Sequence, residues 1–316
     1  MTSAKVDSLG IADDRRLMIV RPSPLPSRGF FGTNDATHRY VTQRQCAALA
    51  TIKIFLQNEA EGNNSSKVLS MKSHLVPDSK VSINISEKSI KSLTVRYRAG
   101  IWDDVVDVVD CGDEVASFVQ SVAITENKMF NDVRLVSMVP VVTNRKTDGR
   151  YVPAAAMSKT GCVPHVPLTD GFSILIVSEE SLDELNRRLR KKGENDISMT
   201  RFRPNIVIKG ASRPFEEDTW KSIQFGGLSG PILHIVKGCP RCKISTTDQL
   251  TAKQYKEPLE TLSDFRALGK NKGIVYFGQN AILQPGFEGS EIKVGDRVTI
   301  ITTGESVWDI GAVQAE

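Results

Sequence analysis

The 316-residue sequence has few aromatics, little net charge and few cysteines. Aromatic residues make up 6% of it, and no basic stripe alternates with them, which excludes a base-stacking platform for nucleic acid. A net charge of +4 with a pI near 8.7 is only mildly basic and leaves no electrostatic footprint for nucleic acid. No apolar run approaches the ~18 residues that a membrane-crossing helix needs. The first residues lack a charged-then-apolar secretory signal; they are polar and lead into Asp13-Asp14-Arg15-Arg16. Five cysteines (Cys46, Cys111, Cys162, Cys239 and Cys242) are an odd number spread over a long chain, which is not a disulfide framework. Reduced thiols in a cytoplasmic setting are expected. A phosphate loop, a dinucleotide fingerprint and a Ser-His-Asp arrangement with supporting context are also missing.

What is there fits a globular chain. Apolar residues at 40% and charged residues at 25% support a sizeable core, in two ordinary domains or one large one. Strand-like stretches occur at Arg15–Val20, Thr51–Leu56, Lys67–Met71, Lys80–Ile85 and Leu93–Tyr97. Pro22 to Ser27 interrupts the first of these before a loop with Gly29 and Gly32, and Asn63 to Ser66 reads as a hairpin turn. Helices are predicted after Gly112 with Asp113 as cap, from Ser178 and Glu179 to Lys192, and from near Pro258. Further strands are expected at Asn205–Ile208, Ile232–Val236 and Arg297–Ile301. Many short strands with little helix predict a mainly β, α+β protein of barrel or sandwich type. Residues 140–158 carry little pattern, and a domain junction is placed near residues 125–150.

Chemistry concentrates between Phe202 and Leu262. Cys239-Pro240-Arg241-Cys242 follows a strand and Gly238. Such a pair can be a redox dithiol, half of a zinc site, one functional thiolate beside a bystander, or two inert buried thiols. No βαβ pattern surrounds it to support the redox reading. Zinc would need Cys162 and His165 as further ligands. Lys237, Arg241 and Lys243 flank the hairpin, and nearby cations stabilise a thiolate, a soft ligand suited to a transition metal. His234 lies in an apolar strand and reads as a satisfied core histidine. Asp13 and Asp14, as neighbours in a strand, would point to opposite faces.

The order Phe202-Arg203-Pro204-Asn205-Ile206-Val207, Glu216-Glu217-Asp218-Thr219-Trp220, Cys239 to Cys242, Thr246-Thr247-Asp248 and Lys256 to Leu262 resembles the MOSC domain, the C-terminal domain of molybdenum cofactor sulfurases. Within that family it is most similar to the mitochondrial amidoxime-reducing component branch. Asp14 to Val20, Val41 to Gln45 and Val109 to Glu114 resemble the same family's N-terminal part. The resemblance implies two β-barrel domains: an N-terminal one over 1–130, shortened at its start, and a MOSC domain over 150–316. It implies a molybdenum cofactor with Cys242 as metal ligand and Asp170 near the metal face. Arg15, Arg203, Asn205, Arg241 and Thr246 would hold the cofactor. Asparagine offers both donor and acceptor to a pterin edge, and arginine forks suit phosphate. The implied activity is reduction of N-hydroxylated compounds, with electrons from a cytochrome b5-type protein and its NADH-dependent reductase. The family's own pattern adds mitochondrial association. Among other MOSC domains the alternative is a module that carries sulfur or binds the cofactor without redox catalysis. The sequence departs from the family where a Lys-Ser strand is usual, showing only Thr2-Ser3-Ala4-Lys5. A proline-rich loop replaces a glycine-rich hairpin, and the segment after Asp248 lacks a usual proline.

Overall fold

The computed structural model describes residues 3–23, 35–61, 64–139 and 144–308, with the backbone alone at 58–61 and 64–65. Residues 24–27 of the proline-rich stretch, Gly29 and Gly32, Asn63 of the expected turn, and residues 140–143 lie outside the described residues. The chain divides into two compact units. One comprises Arg15–Arg145 and Thr247–Gln254; the other comprises Met1–Asp14, Lys146–Thr246 and Tyr255–Glu316. The expected class holds: a mainly β chain with two barrel-like halves. Its α-helices are α1 (Glu87–Ser92), α2 (Asp113–Ala123), α3 (Glu179–Lys191) and α4 (Leu259–Ser263). Among the described residues no helix is long and apolar enough to cross a membrane.

The first unit holds a closed five-stranded barrel in the order Arg134–Met138, Leu17–Pro22, His38–Val41, Arg96–Ile101, Asp104–Asp110. Its opening strand starts two residues later than expected because Arg15 sits in left-handed backbone (φ 52°), which a strand does not accommodate. Leu93–Tyr97 is likewise displaced: α1 ends at Ser92 and only Arg96 and Tyr97 enter the strand. A three-stranded sheet, Lys53–Glu61, Asn64–Lys72 and Lys80–Asn84, places Leu69, Met71 and Val81 in a core shared with Val115, Phe118, Val119 and Val122 of α2. Asn64, Ser65 and Ser66 belong to the second of these strands, pairing with Glu61, Ala60 and Glu59. Helix α2 is capped by Gly112 (φ 99°), not by Asp113. The Gly112 N–H donates to Asp110 Oδ1 at 2.7 Å, and Asp113 instead accepts from Arg134 Nη2 at 2.8 Å.

The second unit is built on a curled six-stranded sheet in the order Ile206–Ile208, Ile174–Ser178, Tyr276–Leu283, Ile232–Pro240, Trp220–Phe225, Val298–Thr303. Its register puts Gly238, Gln279, Ile176 and Ile206 in one row across four strands. Gly278 (φ 76°) lets two of these strands approach closely, since a Cβ there would lie 2.6 Å from Val177 Cγ2 and 2.8 Å from the Ile176 carbonyl oxygen. Helix α3 covers one face. Ser178 Oγ caps it by accepting from Ser181 N–H at 3.2 Å, acids fill its first turn, and basic residues fill its last, as the helix dipole favours. Leu185 and Leu189 are fully buried against Leu175, Val177, Phe202, Leu262 and Phe277. Phe202 stacks on Phe277 at 4.0 Å between ring centres, which anchors the turn before Arg203 in that core.

Candidate functional site

Two of the sequence clusters are framework of the second unit. Glu217 is fully buried and accepts from Ser178 Oγ at 2.9 Å and Ser181 Oγ at 2.7 Å, joining the Glu216–Thr219 turn to the start of α3. Burial pushes its carboxyl above the ordinary 4.5, against the lowering effect of the serine hydrogen bonds. A carboxyl raised in the folded state stabilises fully below the unfolded value and loses that contribution as pH rises through the folded one. Glu217→Gln, neutral throughout, should therefore flatten the decline of thermal midpoint with pH above the ordinary glutamate range. Identical slopes for both proteins in a pH series of melting curves would contradict this.

Asp218 accepts from Arg266 Nη1 at 2.7 Å and Nη2 at 3.0 Å, and from Gln279 Nε2 at 2.6 Å, all buried. Arg266 Nε also donates to the Tyr276 carbonyl at 2.9 Å, and Tyr276 pairs with Pro240. The Lys256-to-Leu262 motif is equally structural. The Glu257 carboxylate accepts from Thr261 N–H at 2.9 Å and Thr261 Oγ1 at 2.8 Å, satisfying a free donor of the first turn of α4, while Leu262 is fully buried. Pro258 is the residue before the helix, not its first position.

The frame presents the thiol hairpin. The strand Ile232–Pro240 carries irregular register between Ile235 and Lys237 and again between Gly238 and Pro240. Such bulges bend a strand and re-aim the residues beyond it. Gly238 is required there, because a Cβ would meet the Trp308 ring at 2.4 Å. Cys239 is half-buried, with its side chain against the Phe202 and Phe277 core. Cys242 is half-buried and outside any disulfide. Its carbonyl accepts from both Ser245 N–H (3.1 Å) and Ser245 Oγ (2.9 Å), so it opens the short turn Lys243–Thr246. Arg241 is fixed along its length: its N–H donates to the Val275 carbonyl (2.8 Å), Nε to the Phe277 carbonyl (2.9 Å) and Nη1 to the Phe202 carbonyl (3.2 Å). Its guanidinium lies 5.0 Å from the Phe202 ring centre, and its Nη2 is buried with no partner among the described residues. Of the other flanking cations, Lys237 places Nζ over the Tyr151 ring at 4.7 Å and Lys243 is exposed.

The remaining residues singled out in the sequence fall as follows. Arg203 is exposed, in left-handed backbone (φ 54°), directly after the turn Met199–Phe202. Asn205 acts as an extra rung of the sheet. Its N–H donates to the Leu175 carbonyl, its Oδ1 accepts from Leu175 N–H at 2.9 Å, and its Nδ2 donates to Asp14 Oδ2 at 2.6 Å. Thr246 is buried and its hydroxyl donates to the Lys243 carbonyl at 2.8 Å, so it can only accept from a ligand. Asp170 is exposed on a bend shortly before the strand Ile174–Ser178. Arg15 is half-buried and belongs to the other unit. The zinc constellation does not assemble: among the described residues no three His, Cys, Asp or Glu side chains are placed to share a metal, and Cys162 is exposed. His234 is the core histidine expected, buried, with Nε2 at 3.0 Å from Gln284 Oε1. Sequence reasoning missed Arg201, whose Nη1 donates to the Thr246 carbonyl at 3.0 Å, and Arg266; neither belongs to a chemistry-bearing motif.

Residues 164–299 match the family model of the MOSC domain. The chain is 34% identical over 199 residues to mitochondrial amidoxime-reducing component 1 of Mus musculus, covering 61% of this chain and 52% of that protein. It is 37% identical over 158 residues to mitochondrial amidoxime reducing component 2 of Rattus norvegicus, covering 50% and 42% respectively. It is also 37% identical over 113 residues to molybdenum cofactor sulfurase of Oryza sativa subsp. japonica, covering 33% and 13%. The chain spans about half the length of the amidoxime-reducing relatives it matches.

Proposed function

We propose that this chain is a molybdenum cofactor-dependent oxidoreductase that reduces N-hydroxylated compounds such as amidoximes and hydroxylamines, with the Cys242 thiolate bonded to the metal. The observation that carries the reading is an adjacent guanidinium, beside the half-buried Cys242 thiol, whose buried Nη2 has no acceptor among the described residues. A buried donor left unpaired is costly, and a pterin or phosphate oxygen would satisfy it. The residues present therefore fit the group. Arg241 would donate through Nη2, and exposed Arg203 would meet an anionic or hydrogen-bonding edge. Asn205 keeps one amide hydrogen beyond its bond to Asp14. Thr246 would accept only, and Arg15 is assigned to the phosphate.

When bound, the cofactor supplies a two-electron centre able to take an oxygen atom from nitrogen. The balanced reaction consumes two electrons and two protons, converting an amidoxime to the amidine and water. Asp170 is assigned as the carboxylate at the substrate side. The electrons come from a partner, a cytochrome b5-type protein reduced by its NADH-dependent reductase. Two relatives named for amidoxime reduction support the substrate class. Their mitochondrial names support a mitochondria-associated setting.

Protein made in a host able to build the cofactor should carry stoichiometric molybdenum by plasma mass spectrometry and reduce benzamidoxime when supplied with reduced cytochrome b5. Metal-free protein from such a host overturns the proposal. The match to a molybdenum cofactor sulfurase favours one second reading, a sulfur-carrying module. A persulfide adduct on Cys242 in intact-mass spectra, without metal, would decide for it.

A further inference from the structure

One dipeptide grips the thiol turn at both ends. Arg201 and Phe202 lie next to each other in the turn Met199–Phe202. The Phe202 carbonyl accepts from Arg241 Nη1 at 3.2 Å, immediately before Cys242. Arg201 Nη1 donates to the Thr246 carbonyl at 3.0 Å, at the end of the turn that Cys242 opens. Each guanidinium is also set against a ring: Arg241 over Phe202 at 5.0 Å and Arg201 over Tyr255 at 5.6 Å. The Thr246 carbonyl additionally accepts from Tyr255 N–H at 3.1 Å, so the ring that faces Arg201 is tied to the same oxygen. The next residue after the dipeptide is Arg203, turned by its left-handed backbone (φ 54°).

We infer that Arg201 is a positioning residue: with Arg241 it clamps the Lys243–Thr246 turn onto the Met199–Phe202 turn, and so fixes the Cys242 thiol relative to the Arg203 guanidinium. The clamp joins carbonyl oxygens to arginine forks, which lose less freedom per bond than lysine would. Lysine at position 201 would keep the charge and one donor but lose the planar group that faces the Tyr255 ring. Glutamine would keep a donor and lose the charge. The inference rests on the reading of Cys242 as the functional thiol, but it concerns this chain's own geometry and is testable without metal.

The test uses the 316-residue chain, metal-free, in a Cys239→Ser background. Modification of Cys242 by anionic iodoacetate and by neutral iodoacetamide is followed by peptide mass spectrometry, with exposed Cys162 as internal reference. A thiol held beside arginine favours the anionic reagent. Arg201→Gln should reduce the iodoacetate-to-iodoacetamide ratio at Cys242 by about threefold, the scale of one partly screened charge interaction, with Cys162 unchanged. Arg201→Lys should restore part of the ratio. An unchanged ratio in a folded Arg201→Gln protein overturns the clamp, and so does full restoration by lysine, since charge alone would then suffice. If the glutamine variant does not fold, Arg201→Lys decides: the ratio must fall below that of the parent. Failure of the parent chain to bind molybdenum would sink the proposed activity and leave this result standing.

Discussion

Arg266→Met should destabilise the unit that carries the thiol hairpin by about 3–5 kcal/mol, the range for removing one partner of a buried ion pair. Asp218 and Arg266 are buried, with side-chain exposures of 10% and 5%. The pair itself is weak proof of stability, because desolvation offsets much of the attraction. The variant differs: Asp218 would remain buried, still accepting from Gln279 Nε2 at 2.6 Å but without the Arg266 cation opposite it. The ring contacts of Arg266, 4.2 Å to Phe215 and 5.5 Å to Trp308, would also be lost or weakened. On the usual scaling the melting temperature should fall by on the order of ten degrees. The double variant Asp218→Leu/Arg266→Met should recover part of that loss, since no charge is then stranded. A fall of under about two degrees in the single variant, or no recovery in the double, would contradict the stranded-charge account. Local consequences are also expected. Arg266 Nε holds the Tyr276 carbonyl, and Tyr276 pairs with Pro240, so hydrogen exchange should quicken first around Pro240 and Tyr276.

How much of this was legible in the sequence depends on the range of the interaction. Helix α3 could be read nearly to the residue, because its cap, its apolar stripe and its charge order all lie within one local segment. The cap of α2 was misplaced by one residue, since Asp113 and Gly112 both suit the position and only the Gly112 conformation decides. Strand ends moved for similar reasons, as at Arg15, whose left-handed backbone has no signature in its side chain. The thiol hairpin was legible as a motif, but the difference between its two cysteines was not. It arises from irregular register against Tyr276–Leu283 and from a core contact of Cys239 with residues far away in sequence. Asn205 was read as a donor and acceptor, which it is; that its first partners are Leu175 and Asp14 needed the fold. The acidic-tryptophan and Lys256-to-Leu262 motifs carried the resemblance without revealing that their polar groups brace the frame. Arg201 had no motif to mark it, because its value lies in a carbonyl 45 positions away.

Cys242→Ala should lower bound molybdenum at least about tenfold and abolish amidoxime reduction to the same degree. Loss of supporting groups around a metal already costs ~10–100-fold in affinity, and Cys242 is proposed as the protein's own bond to the metal. Cys242→Ser makes the argument sharper. It keeps the size and the half-buried position but replaces a soft thiolate with a hard, rarely ionised hydroxyl, so it should lose the metal almost as fully. Neither change should unfold the chain. The bonds from Ser245 go to the Cys242 backbone carbonyl, and the Arg241 contacts lie one residue away, so melting temperatures should stay near that of the parent. Cys239→Ser is the matched control: its thiol lies against the Phe202 and Phe277 core, so the variant should keep molybdenum while losing some stability. Metal retained in a folded Cys242→Ala protein, or lost from Cys239→Ser with Cys242 intact, would remove Cys242 from the proposed role, because the assignment depends on which of two sulfurs three residues apart holds the metal.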